Sequence, residues 1–347
     1  MFLCCRLSPI SKRRLAQFNH NKRAKKSLIL FIIVFLMSIL ADFICNENPL
    51  LIKYKGDFYT PIFVNYAETT FGGDFETEAN YRDPVVIDLI EKHGWMINAP
   101  VSFSPSTINF NLTQPAPAPP SGENLFGTDD QGRDVLTRLL YGFRTSILFG
   151  LFLTLGSVCI GIFAGAVQGY FGGKTDLIMQ RLIEIWSGLP ILYLLIILSS
   201  MVEPNFWWLL SIMMLFSWVN IVGVVRAEFF RTRSLDYVRA AESLGVPTYQ
   251  ILWKHMLPNA MVATVTYIPF ILNGSIATLT SLDFLGFGLP PGSASLGELI
   301  NQAKNNIHAP WLGLTSFISL SFLLSLLIFI GEGVRDAFDS RKGAKVY

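Results

Sequence analysis

Residues 145–167 run for 23 positions without an acidic or basic side chain. At 1.5 Å per residue a helix of that length covers about 35 Å, enough to cross a hydrocarbon core of roughly 30 Å. Inside lipid every backbone N–H and C=O must be satisfied within its own segment, so such a run has to be helical. Four more runs of this kind follow at 185–201, 206–225, 260–282 and 311–330. The first of these is short, and Gly188 and Pro190 blur its start. Another run lies upstream, at 27–45, with Asp42 as its one charge. Only 15% of the residues are charged and 51% are hydrophobic, whereas a soluble domain carries roughly a quarter charged residues. The expected fold class is an all-α integral membrane protein with six transmembrane helices.

Charge placement sets the orientation. Residues 1–26 hold eight Lys or Arg and no acid, which ahead of an apolar helix reads as a cytoplasmic anchor next to anionic lipid. A cleaved signal peptide is excluded, because the apolar run is too long and ADFICNENP is a poor cleavage site. With the N-terminus inside, 19 of the 27 basic residues fall in inside segments. Seven of the eight outside ones belong to residues 46–144, where the rule has little force. Six crossings then leave both termini cytoplasmic. Residues 46–144 form an outer segment with thirteen acidic residues and no spanning run. Alternation at 51–54 and 101–103 suggests β hairpins, and Pro115, Pro117, Pro119 and Pro120 suggest an extended connector. Asp129 or Asp130 can cap an interfacial amphipathic helix carrying Val135, Leu136, Leu139, Leu140 and Phe143. The chain thus divides into a basic tail (1–26), a first helix (27–45), the outer segment (46–144), a core of five helices (145–333) and a cytoplasmic tail (334–347).

Chemistry of the chain's own is hard to find. Gly173-Lys174-Thr175 matches the end of a P-loop, but Gln168 stands where the first glycine is required, and a membrane helix rather than a strand precedes it. A glycine turn explains the same residues. Asp129, Asp130 and Asp134 depart from calcium-loop spacing, and His20, His93, His255 and His308 show no metal-ligand pattern. Cys4, Cys5, Cys45 and Cys159 form no Cys-x-x-Cys pair and read as plain thiols, with a lipid on Cys4 or Cys5 a weak alternative. No catalytic residue, cofactor or metal is expected. The spans also lack the midplane carboxylates of an ion-coupled carrier; Asn220, Pro269, Asn273 and Gly274 interrupt them, and packing and kinking account for those four.

Residues 234–259, SLDYVRAAESLGVPTYQILWKHMLPN, are polar between two apolar runs and read as two short helices separated by a stop. Asp236 can cap the first, which places Tyr237, Ala240, Ala241 and Leu244 on one face. Gly245 can end it in a left-handed conformation, with Pro247 preventing continuation. Pro258 opens the next apolar segment. Two alanines where bulky side chains normally pack fit a helix that enters a groove on another protein. A loop helix packed on its own chain fits equally well.

Arg239-Ala240-Ala241, Gly245 and His255-Met256-Leu257-Pro258-Asn259 closely resemble the signature segment of binding-protein-dependent ABC importer permeases. Arg239 and His255 depart from the general pattern in the manner of the oligopeptide/dipeptide/nickel subfamily. Gly127-Thr128-Asp129, Gly132-Arg133-Asp134, Arg138, Gly142 and Arg144 are similar to the lead-in to the second helix of that subfamily's C-type permease. Leu282 to Gly288, Leu296-Gly297-Glu298 and Arg335 to Asp339 also match, and the outer segment looks like that of permeases for peptides and microcin C. The resemblance implies a bacterial inner-membrane permease, with residues 46–144 periplasmic and residues 234–247 as a cytoplasmic coupling helix. It implies a second permease subunit, two ATP-binding subunits and a periplasmic solute-binding protein as partners, and a peptide as substrate. Tyr237, Arg239, Ala240, Ala241, Leu244, Gly245, His255, Leu257 and Pro258 would carry the coupling to the ATPase. A carrier without an ATPase partner and a membrane-anchored sensor are the rival readings.

Overall fold

The computed structural model describes residues 9–199 and 201–339. Cys4, Cys5, Arg6 and residues 340–347 of the cytoplasmic tail lie outside the described residues. The chain begins with α1 (Pro9–His20), α2 (Lys22–Ile39) and α3 (Ala41–Ile44). Three strands and a helix follow: β1 (Leu51–Tyr54), β2 (Asp57–Tyr59), α4 (Pro84–Glu91) and β3 (Gly94–Ile97). The remainder is helical: α5 (Val135–Phe171), α6 (Gly173–Ser187), α7 (Ile191–Ser199), α8 (Phe206–Ser217), α9 (Val219–Arg233), α10 (Asp236–Ser243), α11 (Thr248–Gln250), α12 (Leu257–Leu285), α13 (Leu296–Asn305) and α14 (Pro310–Phe338). Among the described residues four helical stretches are long and apolar enough to span a membrane, or five if the pair α6 and α7 is counted as one. That pair bends by 60° at Gly188, Leu189 and Pro190, where proline cannot continue the helix before it. The expected first span is divided between α2 and α3, with a turn at Leu40.

One compact unit comprises Met1–Ile32, Ile147–Pro290 and Ser321–Tyr347. Its core forms where α5 meets α8 and α9. Gly161, Gly165 and Gly169 recur every fourth residue along α5, and a Cβ on each would lie 2.8, 2.9 and 2.7 Å from the carbonyl oxygens of Trp218, Val222 and Arg226. Only glycine permits that approach, the small-residue seam typical of membrane helices. Phe149, Leu153, Leu195, Leu209, Met213 and Leu279 close a second apolar cluster in the same unit. The two ends of the described chain also meet. Gln17 Nε2 donates to the Asp336 carbonyl (2.9 Å), and the Arg14 guanidinium lies 4.3 Å from the centre of the Phe338 ring.

The other unit comprises Ile33–Ser146 and Pro291–Leu320. Its sheet has the order β2-β1-β3, antiparallel throughout. The hairpin pairs 51–54 with 57–59, while residues 101–103 form no strand; Val101 makes only a single bridge, to Cys45. The third strand comes instead from Gly94–Ile97. Tyr54, Phe71 and Tyr81 make edge-to-face contacts over Ile52, Val86 and Ile90, and Asp83 caps α4 by accepting from Val85 N. The proline stretch is docked rather than free, since Ala118 and Thr128 exchange hydrogen bonds of 2.8 and 2.9 Å.

Two expectations for residues 129–144 are corrected. There is no separate interfacial helix, because nothing between Phe143 and Ile147 breaks the coil and α5 runs unbroken to Phe171. Val135, Leu139 and Leu140 are buried in protein. The cap is Asp134, which accepts from Thr137 N at 2.8 Å. Asp129 is committed elsewhere: its carboxylate takes Arg133 Nε at 2.7 Å and Arg138 Nε at 3.2 Å, as well as the backbone N–H groups of Gln131 and Arg133.

Candidate coupling site

α10 is short, and its stop is a Schellman turn. Gly245 has φ +72°; its N–H donates to Glu242 O and that of Val246 to Ala241 O, at 3.0 and 3.1 Å. The start is different from the expected one. Leu235 occupies the cap position without a side-chain bond, and Asp236 is the first residue inside the helix. There its charge still favours the helix N-terminus.

The four residues expected on one face divide between two. Val238 and Ala241, three apart, are buried in the chain's own cluster with Val225, Phe229, Ile251 and Met256. Tyr237, Ala240 and Leu244 point outward, and Leu244 is 82% exposed. Adjacent alanines lie about 100° apart around a helix, so Ala240 and Ala241 cannot both face a partner. Arg239 and Gly245 are exposed, as is Pro258, while His255 and Leu257 are half-buried.

The second short helix also proves to be something else. Thr248 to Leu285 is one continuous helical stretch, with a π-helical turn at Ile251–Met256. Pro258 lacks an N–H and its ring would press on the carbonyl four residues back; the widened turn directly ahead accommodates it. Wide turns of this kind recur at functional sites.

Three side chains outside the expected set tie α10 to its neighbours. Asn259 Nδ2 donates to Tyr237 Oη at 2.6 Å and to the His255 carbonyl at 3.1 Å, which fastens α10 to the first turn of α12. Arg233 Nη1 donates to the last carbonyls of α5, those of Tyr170 at 2.9 Å and Phe171 at 3.4 Å. Tyr170 Oη in turn donates to Glu242 Oε1 on α10, at 3.4 Å. These contacts join α10 to the start of α12 and the end of α5. Apart from the bond from Asn259 to the His255 carbonyl, four residues back, these contacts are distant in sequence; the one available signal was Asn259 itself, at the end of the His-x-Leu-Pro-Asn run.

The glycine turn before α6 is present, with Gly172 and Gly173 at φ +61° and +52°. Asp176 follows it, buried, and takes the Arg226 guanidinium on both oxygens, Nη2 at 2.6 Å. Lys174 is left on the surface. The turn thus pins α6 to α9.

Residues 157–343 match the family described as the inner membrane component of binding-protein-dependent transport systems. The chain is 58% identical over 337 residues to the inner membrane ABC transporter permease protein YejE of Escherichia coli, covering 97% of this chain and 99% of that one. It is 53% identical over 359 residues to the peptidoglycan transport system permease protein YejE of Agrobacterium fabrum, covering 96% and 94%. Against the oligopeptide transport system permease protein OppC of Lactococcus lactis the identity is 31% over 242 residues, covering 69% and 82%. With its apolar helices and a match over more than half its length, the chain is a multi-pass inner-membrane protein belonging to the family of binding-protein-dependent ABC transport permeases.

Proposed function

We infer that this chain is the permease through which an ABC importer carries peptides, or peptide-like compounds such as microcin C-type conjugates and peptidoglycan fragments. Transport of this kind needs an energy source. The reading places it on two ATP-binding subunits, with a second permease completing the passage and a periplasmic solute-binding protein delivering the cargo. Residues 46–144 would face the periplasm and receive that protein. The observation that carries the reading is the outward face of α10, where Leu244, Ala240 and Tyr237 are uncovered on a helix fastened to α5 and α12. An exposed leucine with small neighbours suits a cleft in a partner, and the fastening gives the partner's motion somewhere to go. ATP binding would close the ATPase pair, shift α10, and rock α5 and α12.

The meeting of α1 with the end of α14 supports an even number of crossings, since both ends then lie on one side of the membrane. Six crossings follow if α2 is one span and the bent pair α6–α7 another. The cytoplasmic side is the one favoured by the basic residues of α1 and α2. Peptide uptake and peptide-stimulated ATP hydrolysis by the reconstituted complex test the reading. Uptake that persists when the ATP-binding subunits are inactivated would favour a carrier and sink it.

A further inference from the structure

Lipid is the solvent for whatever a membrane helix leaves uncovered at the edge of the protein, so the chemistry of each uncovered face says what it meets. α14 exposes Leu314, Phe317, Ile318 and Phe322, and α5 exposes Leu151, Phe152, Leu155 and Phe163. Those faces suit hydrocarbon. α12 differs: between residues 260 and 284 its exposed residues are Tyr267, Gly274, Thr278 and Ser281, with no exposed Leu, Ile, Val or Phe among them. Their spacing of seven, four and three puts them in one stripe. On α9, Asn220, Gly223 and Ala227 make a second stripe, at three and seven residues, which ends on an exposed Phe230 near the last turn of the helix. Hydroxyl and amide groups turned toward hydrocarbon are penalised, so the α12 stripe and the Asn220 end of the α9 stripe are not lipid faces.

The α12 stripe, through Tyr267, Gly274 and Thr278, and the α9 stripe, through Asn220, border a cavity of about 500 Å³, within the roughly 300–1,000 Å³ typical of small-ligand clefts. Its polar walls are Ser187, Ser217, Asn220, Tyr267, Ser275 and Thr278, its other walls are apolar, and it contains no Asp, Glu, Lys, Arg or His. A Cβ on Gly274 would meet nothing within 4 Å. The hydroxyls of Ser217, Ser275 and Thr278 donate to carbonyls of their own helices at 2.8, 2.9 and 2.8 Å. Each donor is therefore occupied; Ser217 Oγ already accepts from Ser157 Oγ, while the oxygen lone pairs of Ser275 and Thr278 remain for an N–H in the cavity. Asn220 adds an amide that both donates and accepts.

Building on the transport reading, we propose that the uncovered face of α9 and α12 is the surface along which the peptide passes. It holds the peptide's backbone amides through Asn220 and Thr278 and is indifferent to side-chain charge because it carries none. A seam filled by the second permease is the competing occupant.

The test installs a charge at the middle of the stripe, in the complete importer. Uptake of trilysine, triglutamate and trialanine is compared for wild type, Thr278→Lys and Thr278→Asp. Thr278→Lys is expected to lower the trilysine-to-triglutamate uptake ratio about tenfold or more, and Thr278→Asp to raise it. An equal loss for all three peptides overturns the proposal. Because a charge there can also block assembly, Thr278→Cys and Asn220→Cys are made in a chain whose own four cysteines are replaced by serine. A membrane-impermeant thiol reagent should label both, with trialanine slowing the reaction, while Phe317→Cys stays unlabelled. Failure to label positions 278 and 220, the result a packed subunit seam would give, overturns the proposal. Absence of peptide uptake by the wild-type chain would instead defeat the transport reading, and labelling would still decide whether the stripe faces water.

Discussion

The cluster around Asp129 and the segment around α10 are both dense in hydrogen-bonding side chains, and both carry strings of residues that stand out in the sequence. In the first, the string turns inward. Asp129 and Arg138 are fully buried, and Arg138 also donates to the carbonyls of Pro105, Gly292 and Ser293 at 3.2, 3.2 and 2.8 Å. In the second, the polar groups form a frame around α10, and among the residues left uncovered are apolar or small ones, Leu244, Ala240 and the ring of Tyr237, beside the exposed Asp236, Arg239 and Glu242. The first set is consumed by the fold. The second is available to something outside it. Substitutions in the two regions should accordingly damage different properties.

The largest effect is expected where the fold uses its residues up. Arg138→Ala leaves the Asp129 carboxylate buried with one fewer cation and strips the donor from the Pro105 and Ser293 carbonyls, while Gly292 O keeps Arg133 Nη1. Breaking a buried pair from one side costs about 3–5 kcal/mol. Thermal unfolding of the purified complex and the yield of membrane-inserted chain should both fall. A variant of wild-type stability would show that water reaches this cluster and that it is no more internal than α10.

Next comes the split between Ala241 and Leu244. Ala241→Leu overfills a cluster that contains Val225, Phe229 and Met256, and overpacking costs about 1–3 kcal/mol. Leu244→Asp changes an exposed tip, so stability should move by no more than about 0.5 kcal/mol. Uptake and peptide-stimulated ATP hydrolysis should nevertheless fall about tenfold or more, as when an interface anchor is removed. If Leu244→Asp unfolds the chain, or leaves coupling intact, the proposed role of α10 fails.

The sequence made the outward property of α10 legible and its orientation much less so. A helical pattern reports which residues are polar; it leaves open which neighbour each side meets, so Ala240 and Ala241 were assigned to one face when packing separates them. The stop at Gly245 was readable because a positive φ is a local demand that glycine meets. Pro258 does stand in the first turn of α12, but the continuity of that helix with the turns ahead of it was not readable, because relief of the proline's clash depends on the π turn at Ile251–Met256. Asp129 was read as a cap from its place before a helix, whereas its partner Arg138 lies nine residues on. Of the six expected spans, four, or five with the bent pair α6 and α7, followed from composition among the described residues, with Gly188 and Pro190 marking the bend. The repeat of Gly161, Gly165 and Gly169 was present in the same letters. Its meaning needed the partner helix α9, whose carbonyls it admits.

The smallest effect should come from the fastening between α10 and α12. Tyr237→Phe removes one hydroxyl, and the ring remains beside His255 at 6.4 Å between centroids. Asn259 Nδ2 loses Tyr237 Oη but keeps the His255 carbonyl, so no buried group is orphaned. The net loss for such a hydrogen bond is about 0.5–1.5 kcal/mol, and retention of the second acceptor puts this case at the lower end. Coupling, measured as peptides carried per ATP hydrolysed, should fall about two- to threefold with stability lowered by only about 0.5 kcal/mol. Asn259→Ala removes both bonds and should lower it further. If Tyr237→Phe is instead as severe as Leu244→Asp, the hydroxyl must bind the partner directly, and Tyr237 belongs to the contact surface itself rather than to the frame that steadies it.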